Sequence, residues 1–163
     1  APDSRLSGAL ALAAALVQAS RLALWQGHRT LSQPILWVLH LGYAWLPVGL
    51  ALKGIALLQG AAFAAFWLHA LTIGALATMI LAVMTRASLG HTGRPLLVQP
   101  SIAVAYLLVT CSAFVRIFGL GLLHLAYTSV IAWAALLWTV AFAIFVGVYA
   151  PILCSPRVDG KNG

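Results

Sequence analysis

Acidic residues are almost missing from this chain. Its 163 residues include two, Asp3 and Asp159, so nothing between residues 4 and 158 carries a negative side chain. That absence removes whole classes of chemistry. Paired-carboxylate hydrolysis and glycoside cleavage need two acids at one centre, and a Ser–His–Asp set needs one. Charge of either sign is also scarce, at 7% of residues against 63% hydrophobic, where globular domains average about 25% charged. A soluble domain of this size could not cover itself with so little polar surface, and a bilayer is the natural solvent. Cysteine is limited to Cys111 and Cys154. They form no CxxC pattern, and two thiols buried in apolar surroundings are expected rather than a disulfide. No glycine loop of the phosphate-cradling kind precedes a helix. The net charge of +7 is spread without a dense basic run, which argues against a nucleic-acid partner and for basic residues marking one side of a membrane.

What remains is a series of long apolar runs. A transmembrane helix needs about 20 mostly apolar residues, and five candidates fit, at about 5–24, 34–53, 63–84, 97–118 and 126–150. Pro34 opens the second at the favoured first-turn position. The 32 residues from Gly54 to Thr85 contain no Lys, Arg, Asp or Glu, enough for one span and a turn. Gly119 and Gly121 suggest a turn before one long last helix rather than two short ones. The runs do not alternate in polarity as barrel strands do, and Ala-rich stretches favour helix. The expected fold class is therefore all-α: a polytopic transmembrane helix bundle of about five spans, with residues 1–163 forming a single region. No internal repeat is evident. Small residues four apart, Ala70, Gly74 and Thr78, permit close helix packing.

Alternate assignment of the basic residues gives Arg5, Lys53 and Arg116 on one side and Arg21, Arg29, Arg86, Arg94, Arg157 and Lys161 on the other. The positive-inside rule then predicts the N-terminus outside and the C-terminus in the cytoplasm. The chain begins without Met, and no secretory leader is recognisable in residues 1–5. It is expected to be a piece of a longer polypeptide.

Histidines are the groups in the spans with the most chemistry to offer. His40 lies in the second and His69 in the third. An ionisable residue within a span is costly and marks a functional hypothesis, although a neutral histidine hydrogen-bonded between helices is the plainer alternative. His69 shares a helical face with Ala65, Thr72, Ile73, Leu76 and Ile80. His40 shares one with Leu36, Trp37, Tyr43, Ala44 and Pro47. Pro47 frees the Tyr43 carbonyl, which could orient the His40 ring. A metal-bound imidazole normally donates its second nitrogen to an acceptor. With no acid at hand, that acceptor would be a carbonyl or one of Thr72, Thr78, Thr110, Ser112, Tyr43 and Tyr106. Arg116 suits a carboxylate such as a haem propionate or simply snorkels. Met79 and Met84 could ligate copper or pack. His28, His91 and His124 fall in loops. Depths taken from helical rise place His40 and His69 on opposite sides of the midplane, so either they serve different sites or at least one is not a ligand.

The stretch HALTIGALATMILAVMTRASLGHTGRP at residues 69–95 resembles the signature of the NnrS family of bacterial membrane proteins, and PILWVLHLGYAWLPVGLALKG resembles the adjoining helix of that family. The likeness runs from about Trp25 to Arg116, whereas the last helix matches generically. It implies a haem- and copper-containing protein of the bacterial cytoplasmic membrane, linked to nitric oxide metabolism and nitrosative-stress resistance. The family has no firmly assigned enzymatic activity. Its members are similar to proteins of about twelve helices, which would make this chain the last five and the missing N-terminal helices its partners, beside the lipid bilayer and nitric oxide. Positions matching the motif are His69, Arg86, His91, Thr92, Gly93 and Arg94, with His40 upstream. The expected cofactor-binding residues are His69, His40, Arg116, His91 and Arg94, and the expected metal ligands His69 and His40. Two other readings stay open: a membrane oxidoreductase turning over nitric oxide, and a small-solute transporter. Each commonly needs an intramembrane acid, absent here.

Overall fold

A computed structural model describes residues 4–160, and among them every regular element is helical. Five helices are long and apolar enough to cross a membrane: α1 Arg5–Leu24, α2 Pro34–Gln59, α3 Ala62–His91, α4 Pro100–Phe118 and α5 Tyr127–Leu153. The helices alternate in direction. Residues 25–33 and 92–99 therefore lie at one end of the bundle, here the His91 end, and residues 60–61 and 119–126 at the opposite, His69 end.

The spans run longer than their apolar cores suggest, for local reasons. Lys53 does not end α2. Its ammonium lies 4.7 Å from the centroid of the Trp67 ring, a cation–π contact that keeps the charge inside the helix. The helix continues to Gln59 and stops where Gly60 turns left-handed at φ 65°. The third helix passes its apolar run and Arg86 before ending at His91, two residues ahead of Gly93 at φ 71°. The fourth begins at Pro100 rather than at residue 97, because Pro100 occupies the first helical turn.

Inside α3 the ladder changes. Trp67–His69 is α-helical, Ala70–Ala77 is π-helical, and Thr78–His91 is α-helical again. A π stretch lengthens each hydrogen-bonded ring by one residue, so a face drawn with α periodicity does not run straight through it. The face expected to hold His69 with Leu76 and Ile80 is not an inward one: Leu76 and Ile80 are exposed.

Lipid tails are as apolar as the side chains, so small residues and close approach hold such a bundle. Gly8 of α1 meets Leu57 and Leu58 of α2, while Gly54 of α2 meets Leu12 and the Gly8 carbonyl. The expected small-residue stripe faces inward: Ala70 and Thr78 are fully buried, and Gly74 lies directly against the Trp45 ring. Two apolar clusters stack along the bundle. One, toward the His91 end, centres on Val38, Leu81, Tyr106 and Tyr149. The other, toward the His69 end, centres on Trp45, Leu52, Ala70 and Ile117. The thiols are not buried as expected. Both Cys111 and Cys154 are free and exposed, because Cys111 falls on an outward face of α4 and Cys154 caps the end of α5.

Candidate functional site

The sequence-derived residues fall in three places. At the first, His69 closes the α-helical turn before the π stretch, its ring edge-on to Phe66 with centroids 6.0 Å apart. Its Nδ1 is buried and has no hydrogen-bond partner. The Arg116 guanidinium lies over the same Phe66 ring at 5.4 Å and over Tyr127 at 5.7 Å. One of its terminal nitrogens is buried and likewise unpartnered. Two rings can solvate the cation without neutralising it. Arg116 also opens into a cavity of about 390 Å³ between α3, α4 and α5, walled by Ile73, Ile131 and Trp138. Ser112 lines that cavity, but its hydroxyl donates to the Ala134 carbonyl at 2.7 Å and ties α4 to α5.

His40 forms a second place, between α2 and the turn after α1. Its Nδ1 lies 3.1 Å from the Leu36 carbonyl. A carbonyl can only accept, so Nδ1 is the donor in this contact. The orienting acceptor is thus the Leu36 carbonyl and not the Tyr43 carbonyl that Pro47 frees. Trp25 stands edge-on to the ring at 6.1 Å. Gly27 covers it so closely that a Cβ there would lie 2.8 Å from His40 Cδ2. Tyr43 donates to Gln18 Oε1 at 2.7 Å. None of these neighbours contacts His69.

The third place is the His91 end. His91 and Arg94 belong to the same connection, and along α3 His91 lies roughly 30 Å from His69 at helical rise. The sequence did not reveal that the C-terminal tail docks here. Arg157 donates to the His91 carbonyl at 2.9 Å and to both Asp159 oxygens at 2.9 and 2.6 Å. The Val158 amide donates to the Thr92 carbonyl at 3.2 Å. Asp159 sits on Gly93, where a Cβ would meet its carboxylate carbon at 2.7 Å. Only glycine satisfies both that approach and the left-handed backbone. Arg94 keeps one buried guanidinium nitrogen without a partner.

Among the expected orienting groups, the hydroxyls of Thr78, Thr110 and Tyr106 are buried and unpartnered, whereas Thr72 donates to the Leu68 carbonyl at 2.9 Å. Met79 packs on α2 at Gly42. Among the described residues no three His, Cys, Asp or Glu side chains converge in a metal-holding group.

The described residues thus form an all-helical membrane-spanning bundle with isolated imidazoles and an arginine held between aromatic rings among its spans. The family is identified directly: the NnrS protein model matches residues 2–157, and the chain belongs to the NnrS family, which is associated with the nitric oxide response. No curated protein and no solved structure matches it.

Proposed function

We propose that this chain is the haem-holding part of a membrane protein for nitrosative-stress defence, in which His69 would hold the haem iron and Arg116 would partner a propionate. The observation that carries this reading is the pair of orphaned buried nitrogens, His69 Nδ1 and a terminal nitrogen of Arg116, set around one Phe66 ring, with Arg116 also lining a cavity. A buried donor or acceptor without a partner costs about 1–3 kcal/mol, and a ligand that supplies the missing partners recovers it. The donor set suits haem, an apolar macrocycle with two carboxylates. It does not suit copper, for which no ligand group is assembled among the described residues. The chemistry a haem would supply is an iron able to take up nitric oxide. The chain's own part is to ligate through His69, to neutralise a propionate through Arg116 and to exclude water with Phe66, Ile73 and Trp138. His40 serves a separate site, and His91 and Arg94 lie too far away to join the first. We place the chain in the bacterial cytoplasmic membrane with its C-terminus inside.

Enzymatic turnover of nitric oxide needs a proton route, and residues 4–158 hold no acid to build one. Binding is therefore favoured over reduction or ion-coupled transport. The test is a pyridine haemochrome assay on the purified full chain. His69→Ala should lose the haem, Arg116→Gln should weaken its retention roughly tenfold, and the exposed loop variant His124→Ala should retain it. A parent protein without haem, or a His69→Ala variant with an unchanged spectrum, refutes the proposal.

A further inference from the structure

The His91 end carries a second kind of site, independent of the haem reading. A cavity of about 440 Å³ lies beside Arg86, Gly90 and His91. It shares Val83 with a cavity of about 300 Å³ lined by Met79, Ile80 and Met84. It also shares His91 with a cavity of about 210 Å³ whose far wall is Phe145 and Leu153 of α5. The three adjoin along one groove-like face of α3 through these shared residues, basic at the end of α3 and apolar for the next two turns inward. Arg86 has no counter-ion, because the one acid among the described residues, Asp159, is held by Arg157.

Depth says what the basic end meets. The 30 residues of α3 span about 45 Å at about 1.5 Å per residue, against a hydrocarbon core of about 30 Å. Centring the helix leaves about 7 Å beyond the core at each end, or about five residues. The core boundary at this end therefore falls near Arg86, whose long side chain reaches outward to the phosphate level, with His91 in the headgroup layer. We propose that this groove is a binding site for an anionic phospholipid, its phosphate held by Arg86 and the His91 ring and an acyl chain lying along Val83, Met84 and Ile80. Exposed Val83, Met84 and Ile80 suit a flexible chain, methionine most of all. Gly90 leaves the headgroup space open: a Cβ there meets nothing within 4 Å.

The test is native mass spectrometry of the full chain released from detergent, titrated with phosphatidylglycerol, with phosphatidylcholine of the same acyl chains, and with inorganic phosphate. The parent should bind the first phosphatidylglycerol about fivefold more tightly than phosphatidylcholine. Arg86→Gln should erase that preference. Gly90→Leu should weaken both lipids by filling the groove, and because its Cβ has room it carries the test if Arg86→Gln misfolds. Arg29→Gln, exposed at the same end, should leave the preference intact. The proposal fails if the preference survives both groove substitutions, or if Arg29→Gln abolishes it equally, which would mean diffuse surface attraction. It also fails if inorganic phosphate displaces the lipid, marking a free-anion site, or if the parent retains no lipid, marking a face for another protein segment.

Discussion

Gly74→Ala is the sharpest probe of how α2 and α3 meet. Gly74 lies in the π-helical stretch, and a Cβ built there would stand 2.6 Å from both Cγ and Cδ2 of Trp45 and 3.0 Å from its Cβ. Carbon atoms rest about 3.5–4.0 Å apart, so the methyl is about 1 Å too close. Trp45 is 8% exposed and has nowhere easy to go. Overpacking of this kind costs about 1–3 kcal/mol, and replacing a helical glycine returns about 0.5–1 kcal/mol. The net expectation is a loss of about 0–2.5 kcal/mol. Gly90→Ala provides the contrast, since nothing lies within 4 Å of its Cβ; it should be neutral or stabilise by up to about 1 kcal/mol. The assay is equilibrium unfolding in mixed micelles, read by circular dichroism. A double-mutant cycle with Trp45→Leu should show a favourable coupling of about 1 kcal/mol or more, because shrinking the ring makes room for the methyl. If Gly74→Ala proves as stable as Gly90→Ala, or if the cycle shows no coupling, the close approach of the two helices at this level is refuted. Because Gly74 follows His69 by five residues, the same variant should also disturb whatever His69 binds.

Asp159→Asn should change global stability by less than about 1 kcal/mol, as exposed ion pairs do, yet should lower hydrogen-exchange protection at the Val158 amide; unchanged protection would show that the tail docks without the carboxylate. The Asp159 hydrogen bond raises the Arg157 guanidinium above its ordinary value. The pairing is thus fully present below that ordinary value and lost only as pH rises through the raised one, so tail protection should not fall between neutral and mildly alkaline pH. Ser112→Ala removes the bond to the Ala134 carbonyl and should cost about 0.6 kcal/mol, the average for interhelical hydrogen bonds in membranes; a loss above about 2 kcal/mol would mean that Ser112 supports more than this contact. A reporter fused after Lys161 should be active only if it works in the cytoplasm, and periplasmic activity there would invert the proposed orientation.

The number of spans, their approximate places and the family were legible in the chain alone. Partition into a bilayer is a sum over about 20 neighbouring residues, so it is written locally, and Pro34 could mark a helix start without knowledge of any neighbour. His69 and Arg116 could be named from their places in the third and fourth spans. What surrounds them could not. The aromatic rings on either side of Arg116 come from α3 and α5. The Gly27 backbone over His40 comes from a turn, and the acceptor for that imidazole proved to be Leu36. The π stretch after His69 shifted the helical face that α periodicity assigned to it. Asp159, at the far end of the chain, folds back onto Gly93. Each of these depends on which elements become neighbours and how closely they approach. In a bilayer the apolar pattern is satisfied by lipid on every side, so it fixes that a helix inserts but leaves to packing which of its faces turns inward.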